Sequence, residues 1–357
     1  MLKLFLLIAI FASLHADEKS MQTWEEMSPI AVDKDWIELN TREWLRGEFV
    51  SLYSDRVIFR SDKLKKQTFK FKDVRQLIIH DKQVINIDNR AKVVGMLKLD
   101  KNEATITTNG IDVRVNRNQI ISISISSDNE LDLWKFAVKL GLNLTKGNSE
   151  KTDYSSRIDL VRRGATTRFT LNYNGNYSVA DSVKTTDNTH INSSFDIFKT
   201  KQFYYQPFVG SYKSDIFQNL QYRYTVGVGI GYTLIDDGTM LLQISGGPEY
   251  QELEYASVEV NEDKRQSSPL FSMSNYFSYD ITSNLDISWK YQFKYMNNDA
   301  GLYTHDMLTS LSYDLTKRID MNFDLQWNRI ENPKNYQDGT IPKRDDYITS
   351  IKFGVDY

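Results

Sequence analysis

The chain has 357 residues, 44 lysines and arginines against 47 aspartates and glutamates, a formal net charge of −3, and no cysteine. That balance argues against nucleic acid as the main partner, because phosphate binding needs a concentrated basic surface; the missing thiols exclude disulfides, thiol nucleophiles, iron–sulfur clusters and zinc–cysteine sites. With a mean hydropathy of −0.49 and its only long apolar run at the N-terminus, helical membrane bundles are excluded too, while 21 Tyr, 18 Phe and 6 Trp suit sheets with one apolar and one polar face.

Residues 1–16 place Lys3 before a short apolar stretch and set Ser13 and Ala16 at −3 and −1 of a cut, the pattern of a secretory signal peptide. The run is too short for a spanning helix of ~20 residues. No cysteine follows, which excludes a lipoprotein anchor. Residues 17–35 form a polar lead-in with Glu25, Glu26 and Pro29, in which Trp24 is the one candidate anchor.

Residues 36–127 read as a small β-domain of short strands and turns. The segment starting at Gly47 resembles the one starting at Gly95, and 75–79 resembles 118–122, which suggests two tandem units of about three strands each. Ile106, Ile111, Val113 and Val115 keep the period of two expected of strands. The units would pack as a small sandwich or an SH3-like barrel.

From 131 to 357 the alternation lengthens. Ile319, Met321, Phe323, Leu325 and Trp327 interleave with Asp320, Asn322, Asp324, Gln326 and Asn328; Leu285, Ile287, Trp289, Tyr291 and Phe293 interleave with Asp286, Ser288, Lys290 and Gln292. Side chains of a strand point to opposite faces, so each segment has one greasy and one wet face. Twelve such strands centre near residues 139, 157, 172, 194, 207, 227, 244, 274, 290, 309, 324 and 351. Short turns at 162–165, 199–201, 236–238, 282–284 and 316–318 alternate with longer, more polar loops near 180–190, 255–267, 296–305 and 330–346. The expected fold is therefore all-β: a 12-stranded antiparallel outer-membrane β-barrel behind a small periplasmic β-domain. A soluble sandwich also alternates, but it does not require long loops on one side and short turns on the other. Residues 279–286 repeat at 313–320, one strand pair apart, and Trp134, Tyr279, Tyr313 and Trp327 suit interfacial girdles. Phe353, Val355 and Tyr357 resemble the C-terminal signal read by the barrel-assembly machinery.

The wet face carries the functional information. Alternation assigns to the lumen the basic residues Lys135, Lys139, Arg157, Arg168, Arg223, Lys290, Lys294 and Lys352, and the acidic residues Asp159, Asp196, Glu249, Asp286, Asp314, Asp320, Asp324 and Asp356. One sign would dominate in a strongly ion-selective pore; balanced charges pair and narrow the lumen. Gly227, Gly229 and Gly231 all face inward, either relieving curvature or clearing space for a loop, a ligand or an aromatic ring. No catalytic, metal or cofactor constellation emerges from His80, His190 and His305. A hydrolytic pair of His305 with Asp306 has no second signature.

The first long strand runs from Trp134 through Gly141 to Thr145, Gly147, Asn148 and Ser149. This resembles the YdiY-like family of salt-induced outer-membrane proteins, whose function is unknown, with Ser149 in place of the usual Thr. Trp36 and the 44–47 segment resemble the N-terminal β-domain of longer members. The resemblance implies a barrel in the outer membrane of a Gram-negative cell and supplies no substrate or catalytic residue. Outer-membrane lipid and the assembly machinery are the expected partners. The expected role is a narrow or plugged pore in envelope or osmotic adaptation. The alternatives are a closed barrel anchoring 36–127 as a module for peptidoglycan or a periplasmic protein, and a surface hydrolase. Both termini are expected in the periplasm.

Overall fold

Period-two alternation becomes strand over most of the described residues. The structure, a computed structural model, describes residues 34–356 apart from 54, 62, 89–91, 127–129, 146–150, 317 and 318. The expected signal peptide, residues 17–33 of the lead-in with Trp24, the motif residues Gly147, Asn148 and Ser149, and Tyr357 lie outside the described residues.

The first nine strands are β1 (Asp35–Leu39), β2 (Trp44–Tyr53), β3 (Arg56–Ser61), β4 (Lys65–Lys70), β5 (Val74–Ile87), β6 (Val93–Leu99), β7 (Glu103–Thr108), β8 (Ile111–Asn116) and β9 (Ile120–Ile125). They form one sheet in the order β4-β3-β2-β1-β5-β6-β7-β8, with β9 pairing both β2 and β5. Because β1 also pairs both, β1, β2, β9 and β5 close a ring. Irregularities between Phe49 and Ser51 in β2, and between Ile79 and Gln83 in β5, interrupt the ladder as bulges do and bend the two long strands. Ile37, Phe49, Leu52, Phe59, Leu77, Leu97 and Ile106 fill the enclosed core. The two units thus share one sheet and one core instead of forming separate bodies.

The order of elements repeats along the domain. In the first unit β2, β3 and β4 lead through a 3-10 turn (Phe71–Asp73) into β5; in the second β6, β7 and β8 lead through a 3-10 turn (Arg117–Gln119) into β9. A Cβ on Gly47 would meet the carbonyl oxygen of Arg60 at 2.1 Å, and one on Gly95 that of Thr107 at 2.5 Å, so both units need glycine for close strand approach. After the turns, buried Val74 and Ile120 correspond, so the sequence match of 75–79 to 118–122 was out of register. Arg117 lies 4.0 Å over the ring of Phe71 and also donates to the Phe71 carbonyl, tying one turn to the other. Replacing Arg117 with alanine removes both contacts and should cost this domain ~2 kcal/mol. Amide exchange across β5 and β9 would report it, and unchanged protection there would show the turns are not coupled.

The remaining strands are β10 (Trp134–Thr145), β11 (Lys151–Arg163), β12 (Thr167–Ala180), β13 (Val183–Phe198), β14 (Phe203–Asp215), β15 (Leu220–Asp236), β16 (Met240–Tyr255), β17 (Arg265–Asp280), β18 (Leu285–Tyr295), β19 (Tyr303–Asp314), β20 (Ile319–Ile330) and β21 (Asp345–Asp356). They form a closed antiparallel barrel, sealed where Ala137 to Leu140 of β10 pair with Asp356 to Phe353 of β21. Each strand centre expected from alternation falls inside its strand. The long loop expected near 180–190 is instead strand. β12 and β13 run on to Ala180 and Val183, joined by Asp181 and Ser182 at φ of 48° and 62°, the paired left-handed residues a two-residue type I′ hairpin requires. Among the described residues no helix is long and apolar enough to cross a membrane.

Candidate functional site in the barrel lumen

The barrel is inverted relative to a water-soluble core. Val226, Val228, Ile230 and Leu234 of β15, Phe323 of β20, and Ile351, Phe353 and Val355 of β21 are exposed on the outer wall, whereas Lys139, Arg157, Asp196, Glu249, Lys294, Asp320, Asp324 and Lys352 are buried inside. Tyr205, Tyr232, Tyr279 and Tyr313 ring the outer wall at the short-turn end; Tyr154, Tyr177, Tyr224, Tyr250 and Tyr295 ring it towards the long loops.

The lumenal charges are brought together in pairs. Lys139 meets Asp320 at 2.9 Å and donates to Asn322 at 2.9 Å. Arg157 bonds Asp159 at 2.7 Å and lies 3.7 Å from Asp324, which also holds Lys352 at 2.9 Å. Lys290 reaches Asp159 at 3.5 Å, Arg168 bonds Asp196 at 2.6 Å, and Lys294 stands 3.9 Å from Glu249. Four candidates sit away from these pairs. Arg223 is buried but donates to the Ala300 carbonyl at 3.2 Å instead of a carboxylate. Lys135 and Asp314 are exposed at the short-turn mouth, and Asp286 is partly buried there. The side chain of Asp356 lies outside the described residues.

Sequence alternation missed one pair. Lys213 and Asp306 bond at 2.8 Å across the lumen. The register of β14 shifts between Gln206 and Val209, so the inward set changes from Tyr204 and Gln206 to Val209, Ser211 and Lys213. A proline at 207 inside a strand, a residue confined to edges and bulges, is the available sequence signal. His305 and Asp306, weighed above as a hydrolytic pair, are separated by the same geometry that places Asp306. Asp306 points inward, while neighbouring His305 stacks on outward Trp327 at 5.5 Å and meets the Tyr291 hydroxyl at 2.7 Å. In the glycine stripe only Gly231 clears space for an aromatic, where a Cβ would strike the Tyr204 ring at 2.1 Å; at Gly227 and Gly229 it would meet the carbonyl oxygens of Pro248 and Gly246 at 2.4 and 2.9 Å.

Polar bonds and loops divide the lumen along its length. Towards the short turns, Arg168 bonds Asp196 and Gln243, Gln206 bonds Asp196, and Gln243 bonds Thr233, a lattice spanning β12 to β16. Beyond it lies a cavity of about 530 Å³ lined by Asn172, Asn174, Asn192, Ser194, Tyr276 and Lys290 among others. At the long-loop end, inward Leu220, Leu253 and Leu270 pack with Met296 and Ala300 of the loop after β18. Buried Asn219 donates to the carbonyls of Ser257, Lys334 and Asn335 at 2.8, 3.0 and 3.1 Å, pinning three loops together.

The β1–β9 domain seats on the short turns. Asn86 donates to the Ala165 carbonyl at 3.3 Å and Ser122 bonds the same oxygen. Arg56 pairs with Asp280 at 2.7 Å, Lys201 with Asp55 at 3.4 Å, and Lys70 bonds Thr239. A second cavity of about 330 Å³ lies in this seam, between Asp55 and Asp88 on one side and Arg163, Lys201 and Asp236 on the other, and it shares Gln243 with the first. No group of side chains suited to a metal ion occurs among the described residues.

A family described as a protein of unknown function, DUF481, matches residues 138–357. No curated protein matches the sequence. Among solved structures, a NanC porin aligns at 13% identity over 62% of this chain and 98% of its own, with a TM-score of 0.37. A bacterial polysaccharide outer membrane secretin aligns at 6% identity over 63% and 97%, with a TM-score of 0.31. The outer membrane channel DcaP of Acinetobacter baumannii aligns at 12% identity over 91% and 94%, with a TM-score of 0.29.

Proposed function

The chain belongs to the DUF481 family of proteins of unknown function, and we propose that it is an outer-membrane β-barrel holding a narrow polar passage, capped at its short-turn mouth by the β1–β9 domain. The observation that carries this is the inversion of the barrel. A continuous apolar wall flanked by tyrosine rings matches a hydrocarbon band, and contiguous exposed apolar surface on this scale is foreign to a solvated protein. From Tyr224 to Tyr232 on β15 the band rises ~20 Å, taking ~3.3 Å per residue and a tilt of ~40°. Inside, the charges neutralise one another, which favours passage of small solutes over selection for one ion. Outward Phe353 and Val355 on the last strand offer the assembly machinery an apolar signal.

On this reading the β1–β9 domain and both termini are periplasmic. Its contacts to the turns favour a cap over a free module that recruits peptidoglycan or another protein. Arg56–Asp280 and Lys201–Asp55 are each more than a third exposed, so salt screens them. The cap therefore loosens as ionic strength rises, a physical link to osmotic adaptation.

Single-channel recording of the refolded protein in planar bilayers, with and without residues 36–127, tests both parts. The full chain should show small, infrequent steps, and removal of the domain should make them larger and more frequent. Equal conductance in the two forms would discard the cap; silence in both would discard the passage.

A further inference from the structure

We propose that the central cavity binds an uncharged, polyhydroxylated solute of mono- or disaccharide size, an inference that rests on the reading of the lumen as a passage. Its volume of about 530 Å³ falls within the ~300–1,000 Å³ of small-molecule sites. Most of the charges that line it are already committed to one another, and the further carboxylate, Glu249, accepts from the Ser272 hydroxyl and stands 3.9 Å from Lys294. Arg157 and Lys290 share Asp159, Arg168 holds Asp196, and Asp306 holds Lys213. A charged solute would have to compete for one member of a pair and leave the other uncompensated in a buried site, which is costly.

Neutral amides and hydroxyls make up much of the rest of the lining, and of these Asn172 already donates to Asp159 at 2.6 Å. On β12 and β13 Thr170 lies opposite Ser194, Asn172 opposite Asn192, and Asn174 opposite His190, and all six line the cavity. The carboxamide oxygen of Asn174 is buried with no hydrogen-bond partner. A carboxamide sets a donor and an acceptor side by side, which suits vicinal hydroxyls that both give and take hydrogen bonds. Tyr276 also lines the space, with Lys290 5.9 Å from its ring centroid on one side, and its other face suits the C–H face of a pyranose.

The test is calorimetric titration of the full-length protein in detergent with three probes of similar chemistry and different charge: sucrose, glucuronate and glucosamine. Sucrose should bind saturably, and the two charged sugars about tenfold more weakly or worse. Asn192→Leu should weaken sucrose about tenfold, by losing a hydrogen-bonding group and crowding the site. Ser194→Ala, a smaller change, serves if the leucine variant loses its β circular dichroism. No saturable heat with sucrose, or tighter binding of either charged sugar, overturns the proposal. Conductance without sucrose binding would sink this inference and leave the passage standing. Sucrose binding to a barrel that never conducts would do the reverse.

Discussion

Replacing Asp324 with alanine is expected to cost the barrel ~3–5 kcal/mol, the penalty of leaving buried charge without its partner. Asp324 is 2% exposed and sits between Lys352 at 2.9 Å and Arg157 at 3.7 Å. Arg157 keeps Asp159 after the change, at 2.7 Å. Lys352, itself buried on β21, loses the carboxylate that compensates its ammonium. The strand that carries it also closes the barrel against β10, so the damage falls on the seam. The double variant Asp324→Leu with Lys352→Met removes both charges and should recover most of the loss, since apolar replacement of a buried pair is often neutral. Urea unfolding from lipid vesicles measures all three proteins. Equal destabilisation of the single and double variants would mean that packing, not charge pairing, holds this layer of the lumen.

Asp324 and Lys352 illustrate what can be read from the chain before any coordinates. Period-two alternation assigns a face without knowledge of neighbours; it puts both residues, together with Lys139, Arg157 and Asp320, on the inner face, and all five side chains are buried. Pairing is a separate matter, because it depends on stagger between strands. Arg223 shows the difference: its face was legible, yet it lies beneath the loop after β18 and bonds the Ala300 carbonyl. Lys213 was illegible for another reason. The shift near Pro207 reverses the parity of β14, and alternation counted from either end assigns the other end to the wrong face. His305 and Asp306 were adjacent in sequence and therefore opposed in space, a consequence of the same pleat. The loop expected at 180–190 failed because polar residues such as Asn188, His190 and Asn192 read as loop, when His190 and Asn192 line a wet lumen and Asn188 is buried against Asn176. The contact of Asn86 and Ser122 with Ala165 had no sequence signal, since the seam is built from ordinary turn residues meeting a polar edge.

The placement of the barrel in a bilayer makes its own prediction at Val228. This residue is 52% exposed and lies midway between Tyr224 and Tyr232 on β15. On a surface facing water, Val228→Arg would change stability by no more than ~0.5 kcal/mol. At the middle of a hydrocarbon band the same change should cost ~2–4 kcal/mol. The guanidinium has few ways of escaping that cost. Its chain neighbours Gly227 and Gly229 face inward and carry no side chain that could shield it, and the exposed side chains either side of it, Val226 and Ile230, are apolar. Its reach along the wall leads over Val226 to Tyr224 or over Ile230 to Tyr232, so only stretching to a girdle offers hydration, a route that accounts for the low end of the range. Val228→Leu, which keeps the surface apolar, should stay within ~0.5 kcal/mol in lipid. Comparing both variants in vesicles isolates charge from shape. An arginine tolerated as well as leucine would place β15 outside the hydrocarbon, and with it the apolar wall on which the membrane assignment depends.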